Sequence, residues 1–368
     1  MKKLVLITGT GRSGTSTMSG VLHHLGLYVP GPYLGANKSN PKGFFESKWA
    51  IAFHRRITTA ARIDFFDGRP SALDRAREAV TPELREELVE FLREQSADHD
   101  QVVVKDPRTV WAHDVWRDAA AEAGLGICYI SMLRHPAEVV GSRRTYYAKS
   151  EDPADIRRYE IINVARWVNN SLISERETRG RPRAFVRYVD LLADWRSVAQ
   201  RLGEDLGLTF DIDLTVREPH EVDAFIDPDL RRHTVTWDDL EVPTELQEVA
   251  ETTWSDLGGL SDHHGADAEA EADLDRQSER YGLIVAQATA ISYDLIQEAR
   301  IDGKREGAAN LRKRMAAKKA SVSPAPRPRP APPTRPKAVA ELTVGEVGGR
   351  DLLKVAAARA RKKLTRGR

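Results

Sequence analysis

The sequence predicts an α/β fold of three layers, in which helices flank a central parallel sheet of about four to five strands. Four short apolar segments rich in β-forming residues support this, and they span residues 4–8, 102–104, 127–133 and 184–189. Between them, apolar residues recur at helical spacing. Because strands that alternate with helices are joined by right-handed crossovers, the alternation favours a parallel sheet.

The first apolar segment runs into a glycine-rich loop, which opens directly into a helical pattern. Gly9, Gly11 and Gly14 let the backbone turn sharply and approach an anion without a Cβ in the way. The loop N–H groups and the positive end of the following helix would converge on that anion. The sequence therefore predicts a phosphate or sulfate site here, with a ligand-free glycine turn as the alternative.

The loop is P-loop-like in spacing but lacks the lysine of that motif. Nucleotide triphosphatases carry G-x-x-x-x-G-K-[ST]. Here Gly9 and Gly14 keep the spacing, Thr15 takes the lysine position, and the positive charge lies at Arg12. The missing lysine argues against a P-loop kinase or nucleotide hydrolase, which stays open as the enzymatic alternative.

Length and composition exclude several classes of protein. A chain of 368 residues with 41% hydrophobic content can build one large domain or two ordinary ones. The single cysteine, Cys128, excludes a disulfide framework and a multi-cysteine metal site. The sequence contains no run of about 18 apolar residues, the length needed to span a membrane. Its N-terminus does not resemble a secretion signal. We therefore expect a cytoplasmic protein.

Charge is unevenly distributed along the chain. Residues 301–368 hold 19 Lys+Arg and 5 Asp+Glu, although the whole chain has a net charge of only +1. We expect an α/β domain over residues 1–300, with a helical extension from about residue 276, and a largely disordered basic tail over 301–368. Such a tail suits a polyanion or an anionic membrane surface. A solubilising tail, or a non-enzymatic polyanion-binding protein, are the alternatives.

Charged residues also follow the second and third predicted strands, at the ends where open α/β sheets bind ligands. Lys105, Asp106 and Arg108 follow the second strand, and Arg134 follows the third. Arginine can hold a phosphate through two parallel hydrogen bonds. The sequence therefore predicts phosphate contacts at both ends, although a charged turn with a Lys105–Asp106 ion pair is an equal alternative.

A loop-like segment, residues 28–47, follows the first predicted helix and contains Glu46. Since this segment comes one helix after the anion-binding loop, it could return over that loop. A carboxylate beside a cationic pocket can serve as a general base. Glu46 is therefore a candidate base, and a helix cap or a solvated carboxylate is the alternative.

Two separated motifs together resemble those of sulfotransferases that use 3′-phosphoadenosine 5′-phosphosulfate (PAPS), and residues 105–108 and 185–192 also resemble the bacterial and carbohydrate-directed branch of that family. Residues 12–17 resemble the 5′-phosphosulfate loop, with Arg12 where many members have lysine. Residues 133–136, with Ser142 eight positions after Arg134, resemble the 3′-phosphate signature. The resemblance covers about residues 1–240.

The resemblance implies that PAPS is the co-substrate, that no metal is required, and that the sulfonate passes to a hydroxyl or an amine. The acceptor would be a carbohydrate, a glycolipid or a small metabolite. The implied PAPS-binding residues are Gly11, Arg12, Ser13, Gly14, Thr15, Ser16, Thr17, Arg134 and Ser142. Arg231 or Arg232 would add to the 3′-phosphate site, with two solvated arginines as the alternative.

The catalytic residues implied by the resemblance include one departure from the family pattern. Many small-molecule members have a histidine base just after the middle strand, where this chain has Lys105 and Asp106. Glu46 is therefore the predicted base, with Asp106 as the alternative. Arg12 would stabilise the charge on the leaving phosphate, supported by Lys105.

Overall fold

A computed structural model of the protein describes residues 2–37, 40–148, 150–226 and 235–322. Within the compact unit Met1–Ser292, four strands form one parallel sheet in the order β2-β1-β3-β4. These strands are β1 (Lys3–Thr8), β2 (Gln101–Lys105), β3 (Gly126–Leu133) and β4 (Arg183–Arg187). The predicted α/β fold with a parallel sheet of about four strands is confirmed.

Helices connect and cover the strands. They are α1 (Thr15–His24), α2 (Lys48–Ala61), α3 (Ala72–Glu78), α4 (Pro82–Gln95), α5 (His113–Glu122), α6 (Pro136–Tyr147), α7 (Pro153–Thr178), α8 (Tyr188–Ala193), α9 (Trp195–Leu206), α10 (Glu221–Phe225), α11 (Thr244–Asp262) and α12 (Ala268–Ile291), with 3₁₀ helices at Pro107–Trp111 and Trp237–Asp239. The starts of α4, α6 and α7 each carry proline in the first turn. Its fixed φ suits that turn, where the missing N–H costs no hydrogen bond.

The sheet is buried on both faces, which explains why its strands are continuously apolar. In β1, Leu4 and Leu6 pack on one side in a cluster that includes residues of α2, α4 and α5. Val5 and Ile7 point to the opposite side, into a cluster with residues of α1 and α9. The alternation along one strand therefore builds the helix, sheet and helix layers.

The register places the site at one edge of the sheet. In the parallel pairs, Lys3 lies opposite both Gln101 and Gly126, so β1, β2 and β3 point in the same direction. Near their carboxyl ends, the Thr8 Oγ1 and Ser131 Oγ atoms are 2.8 Å apart and share a hydrogen bond. The segments that follow Thr8, Lys105 and Leu133 therefore emerge side by side.

The C-terminal part of the chain departs from expectation. The helical extension expected from about residue 276 begins earlier, at Ala268, and α12 ends at Ile291. A further helix, α13 (Tyr293–Val322), belongs to a separate unit. Among the described residues, no helix is both long and apolar enough to cross a bilayer. Most of the predicted tail, and the predicted phosphate contacts Arg231 and Arg232, lie outside the described residues.

Candidate active site

The glycine-rich loop joins β1 to α1 in a conformation that few side chains tolerate. Gly9, Arg12 and Gly14 have φ values of 121°, 78° and 91°. A Cβ on Gly14 would lie 2.2 Å from Cδ2 of Tyr188, closer than real Cβ contacts allow. Arg12 is a non-glycine residue in the left-handed region, a strain that clusters at functional sites. The loop is therefore shaped by its glycines and held under strain at Arg12.

The loop is fixed by its own hydrogen bonds and leaves the start of α1 open. The Thr10 and Ser13 hydroxyls are 2.7 Å apart, and the Ser13 N–H donates to the Thr10 carbonyl at 3.1 Å. No side chain of the described part of the chain caps α1 at Gly14. Since the first N–H groups of a helix have no partner within it, they can bind an anion here.

A cleft of about 440 Å³ lies over this loop, a size typical of small-molecule sites. Among the described residues, five cationic side chains line it, against a single carboxylate, that of Glu46. The five cations are Arg12, Lys105, Arg108, Arg134 and Arg143. This imbalance favours a polyanionic ligand.

The two sequence motifs meet in this cleft. The Arg12 Nε donates to the Ser142 Oγ at 3.0 Å. The buried Arg134 guanidinium donates through Nη1 to the Arg12 carbonyl at 3.2 Å and through Nε to Glu138 Oε2 at 2.9 Å. Residues from the β1–α1 loop and from the start of α6 therefore form one continuous cationic surface.

Comparison with known proteins decides the family. Residues 5–212, more than half of the chain, match the model of the sulfotransferase family. The chain belongs to the sulfotransferase family. Enzymes of this family depend on PAPS, so the chain is a PAPS-dependent sulfotransferase, as the motifs predicted. The cleft of this sulfotransferase fits PAPS. The five cations and the uncapped start of α1 can bind the two phosphate positions and the sulfonate of that molecule.

Two solved structures resemble this sulfotransferase over most of their length. The sulfotransferase domain of the Synechococcus PCC 7002 olefin synthase is 18% identical, with a TM-score of 0.39; the match covers 70% of this chain and 96% of that one. A sulfotransferase domain from the curacin biosynthetic pathway is 16% identical, with a TM-score of 0.39, and the match covers 70% and 98%. No curated protein matches the sequence.

The predicted base lies in the cleft of this sulfotransferase, beside the predicted lysine. The Lys105 Nζ donates to Glu46 Oε1 at 2.5 Å and to Ser16 Oγ at 2.9 Å. The two ionic side chains are only 2% and 8% exposed. The segment 28–47 thus returns over the loop, as its position suggested. The alternative of a Lys105–Asp106 ion pair is wrong, because Lys105 pairs with Glu46 instead.

Asp106 is turned away from the cleft and is fully buried. The Trp116 Nε1 donates to His54 Nε2 at 2.7 Å, so His54 Nδ1 carries the proton and donates to Asp106 at 3.1 Å. Arg108 binds both Asp106 oxygens through Nη1. Burial alone would raise the pKa of Asp106, but the His54 hydrogen bond and the Arg108 charge lower it. Asp106 therefore positions Arg108, and its location opposes the alternative that it acts as the base.

Sequence reasoning missed several residues of the cleft. The Arg12, Arg108, Arg134 and Arg143 guanidinium groups each lie over an aromatic ring, at 4.7, 3.9, 5.3 and 4.3 Å from the ring centre. The rings belong to Tyr146, Phe65, Tyr188 and Phe66. Tyr188 lies in the segment 185–192 that resembles the family, whereas no motif covers Phe65, Phe66 or Tyr146. The one available signal was the pair of adjacent phenylalanines in a short polar segment after α2.

Proposed function

We propose that this sulfotransferase transfers the sulfonate of PAPS to a hydroxyl, or to an amine, of a carbohydrate, a glycolipid or a small metabolite. The observation that carries the proposal is the Glu46 carboxylate, held 2.5 Å from the Lys105 ammonium and facing the same cleft as the glycine loop. The motifs at residues 105–108 and 185–192 favour the bacterial, carbohydrate-directed branch.

We assign the two ends of the nucleotide to the two motifs. Arg134 and Ser142 would bind the 3′-phosphate, and both side chains are buried yet line the cleft. The 5′-phosphosulfate would lie against the N–H groups of residues 11–17 and the start of α1. Arg12 bridges the two sites through its hydrogen bond to Ser142.

Glu46 would remove the acceptor proton as the reaction proceeds. When bound, PAPS supplies the sulfonate: a bond forms between the acceptor oxygen and sulfur, the bond from sulfur to the phosphate oxygen breaks, and adenosine 3′,5′-bisphosphate leaves. Arg12, Lys105 and the α1 N–H groups would stabilise the negative charge on that oxygen. The protein's own cations can thus neutralise the charge without a metal. The described residues contain no cluster of three or more metal-ligating side chains.

The basic tail is assigned a separate role. We propose that residues 301–368 hold a cytoplasmic enzyme near a polyanion or an anionic membrane surface. The support is their charge, 19 Lys+Arg against 5 Asp+Glu, since clustered basic residues favour such surfaces. Catalysis would not depend on this part of the chain.

The test is transfer of labelled sulfonate from PAPS to a panel of sugars and small alcohols, in the presence of a chelator. We expect labelled product with the wild type and a rate lower by on the order of 10²–10⁴-fold with Glu46→Gln. Turnover of ATP with magnesium, and none of PAPS, would overturn the proposal.

A further inference from the structure

Arg143 is the cleft arginine whose role neither motif explains. It lies on α6, and its guanidinium lies 4.3 Å from the centre of the Phe66 ring. Its Nε is buried and has no hydrogen-bond partner among the residues that the structure describes. Among the described residues, no carboxylate forms an ion pair with it, whereas Arg134 pairs with Glu138 and Arg108 with Asp106. Within the part of the chain that the structure describes, Arg143 is thus a cation without a carboxylate counter-charge.

Holding the Arg143 charge in a largely buried position costs free energy unless an anion binds beside it. A buried charge is tolerated when it is paired and hydrogen-bonded. Tyr159 accepts a hydrogen bond from the Arg143 side chain, and Arg166 and Tyr147 also act on it electrostatically, but none of the three is a carboxylate. Burial accordingly lowers the pKa of Arg143 from its ordinary value. A ligand anion in the cleft would supply the missing charge.

The surroundings of Arg143 differ from those of the assigned nucleotide sites. Successive helix residues point about 100° apart, so Ser142 contacts Arg12 while Arg143 lies on Phe66. Phe66 also approaches Gly11: a Cβ there would lie 2.6 Å from the end of the Phe66 ring. Arg143 therefore lies across this ring from the phosphosulfate loop.

Phe66 and Phe65 together form an aromatic wall of the cleft. The centres of the Phe65 and Phe66 rings are 4.1 Å apart, and the rings are nearly perpendicular. The Arg108 guanidinium lies over the Phe65 ring. Two hydrogen bonds to the backbone hold this segment in place. Trp111 Nε1 donates to the Phe65 carbonyl at 3.1 Å, and Asn169 Nδ2 donates to the Asp67 carbonyl at 2.8 Å. An apolar surface next to an unpaired cation suits a ligand with one apolar face and one anionic group.

We propose that Arg143 binds a carboxylate or phosphate group of the hydroxyl acceptor, whose body packs on Phe65 and Phe66. This inference rests on the proposed sulfonate transfer and adds the class of acceptor. The planar guanidinium, oriented by the Phe66 ring, can form two parallel hydrogen bonds to either oxyanion. The acceptor would then be an acidic sugar, a sugar phosphate or an alcohol of similar charge.

The experiment measures binding to the enzyme saturated with adenosine 3′,5′-bisphosphate, so that the nucleotide phosphate sites are filled. Glucose, glucuronate and glucose 6-phosphate are titrated by calorimetry, because they differ chiefly in the group at one carbon. At least one charged sugar should bind roughly 10- to 100-fold more tightly than glucose. Preference between the two charged sugars identifies the group as carboxylate or phosphate.

Arg143→Gln should abolish this preference. Arg144→Gln is the matched control, since Arg144 is the next residue on α6, is exposed and pairs with Glu160 away from the cleft. It removes the same charge and should keep the preference. Both variants should keep the thermal stabilisation by adenosine 3′,5′-bisphosphate, which also shows that they fold.

Three results would overturn the inference: no preference for either charged sugar in the wild type, a preference that survives Arg143→Gln, or loss of nucleotide stabilisation in that variant alone. The last would place Arg143 in the donor site. None of these results touches the transfer reaction itself, which fails only if labelled PAPS yields no sulfated product with any acceptor.

Discussion

The Arg12 Nε lies 3.0 Å from the Ser142 Oγ, joining two motifs that are 130 residues apart in the chain. Arg12 follows β1 and Ser142 lies on α6, so the contact forms only because β1 and β3 are neighbours in the sheet. In the proposed reaction, one end of this pair faces the leaving phosphate and the other the 3′-phosphate. In that reaction, the pair would couple nucleotide binding to charge stabilisation.

Replacing Arg12 should slow transfer more than it weakens nucleotide binding. We expect Arg12→Gln to lower kcat on the order of 10²–10³-fold, the usual cost of losing one donor that stabilises developing charge. Initial rates with labelled PAPS measure the effect. Arg12→Lys keeps the charge and should recover part of the rate. A full rate in Arg12→Gln would remove Arg12 from the catalytic assignment.

Arg134 should control binding of the 3′-phosphate. Arg134→Gln is expected to weaken adenosine 3′,5′-bisphosphate roughly 10- to 100-fold, as loss of a charge-assisted hydrogen bond implies. The thermal shift that the nucleotide produces measures this. Since Arg134 also pairs with Glu138, Glu138→Gln is the control: it breaks the ion pair, keeps the cation and should keep the shift. An unchanged shift in Arg134→Gln contradicts the assignment.

Glu46 should be needed for chemistry and not for nucleotide binding. Glu46→Gln is expected to keep the nucleotide-induced thermal shift and to lose on the order of 10²–10⁴-fold in kcat, the range for a general base. A second role is to orient Lys105, its partner at 2.5 Å. The double variant Glu46→Gln/Lys105→Gln separates the two roles. If it is no slower than Lys105→Gln alone, Glu46 acts only through Lys105 and is not the base.

Local features of the sequence predicted the sheet and the anion loop. Apolar runs such as residues 102–104 and 127–133 specify buried parallel strands. Glycine is needed at position 14 because its φ is 91° and a Cβ there would clash with the Tyr188 ring. Because parallel strands run in the same direction, their carboxyl ends lie at the same edge of the sheet. The sequence alone therefore predicts that Arg12, Lys105 and Arg134 lie at one edge of the sheet.

Contacts between distant segments could not be predicted in the same way. Lys105 has Asp106 beside it in sequence, yet adjacent strand residues point to opposite faces, so Lys105 faces Glu46 and Asp106 faces His54. Arg143 and Phe66 meet because α6 packs beside the segment after α2, a relationship that no spacing along the chain encodes. The unpredicted part of the site is thus its aromatic wall and its pairing of charges.

The basic tail should be dispensable for transfer. Removing residues 323–368 deletes 12 Lys+Arg and 3 Asp+Glu, and it leaves the compact unit Met1–Ser292 intact. We expect unchanged kcat with small acceptors and earlier elution from a heparin column, because fewer cations release fewer counterions. Elution at the same salt concentration as the full chain would contradict a role in polyanion binding.

Asp256 should make the enzyme less stable as the pH rises through the mildly acidic range. Burial, reinforced by the charge of Asp273, raises the pKa of Asp256 from 3.8 to about 6. No described residue forms a hydrogen bond with its Oδ2. Between those two values the folded state binds more protons than the unfolded state. The free energy of unfolding therefore falls as the pH rises from about 4 to about 6, and this loss persists above it.

Asp256→Asn removes the ionisable group and should remove that loss. Because Asp256 is only half-buried, solvent screening reduces the effect, and we expect a gain of about 1 kcal/mol at neutral pH. Below the ordinary carboxyl pKa the two proteins should converge, since both then carry a neutral side chain. Urea unfolding at pH values on either side of this range measures the difference. Asp238→Asn makes the same change at an exposed site. A gain of equal size there would show that the stabilisation does not come from the raised pKa of Asp256.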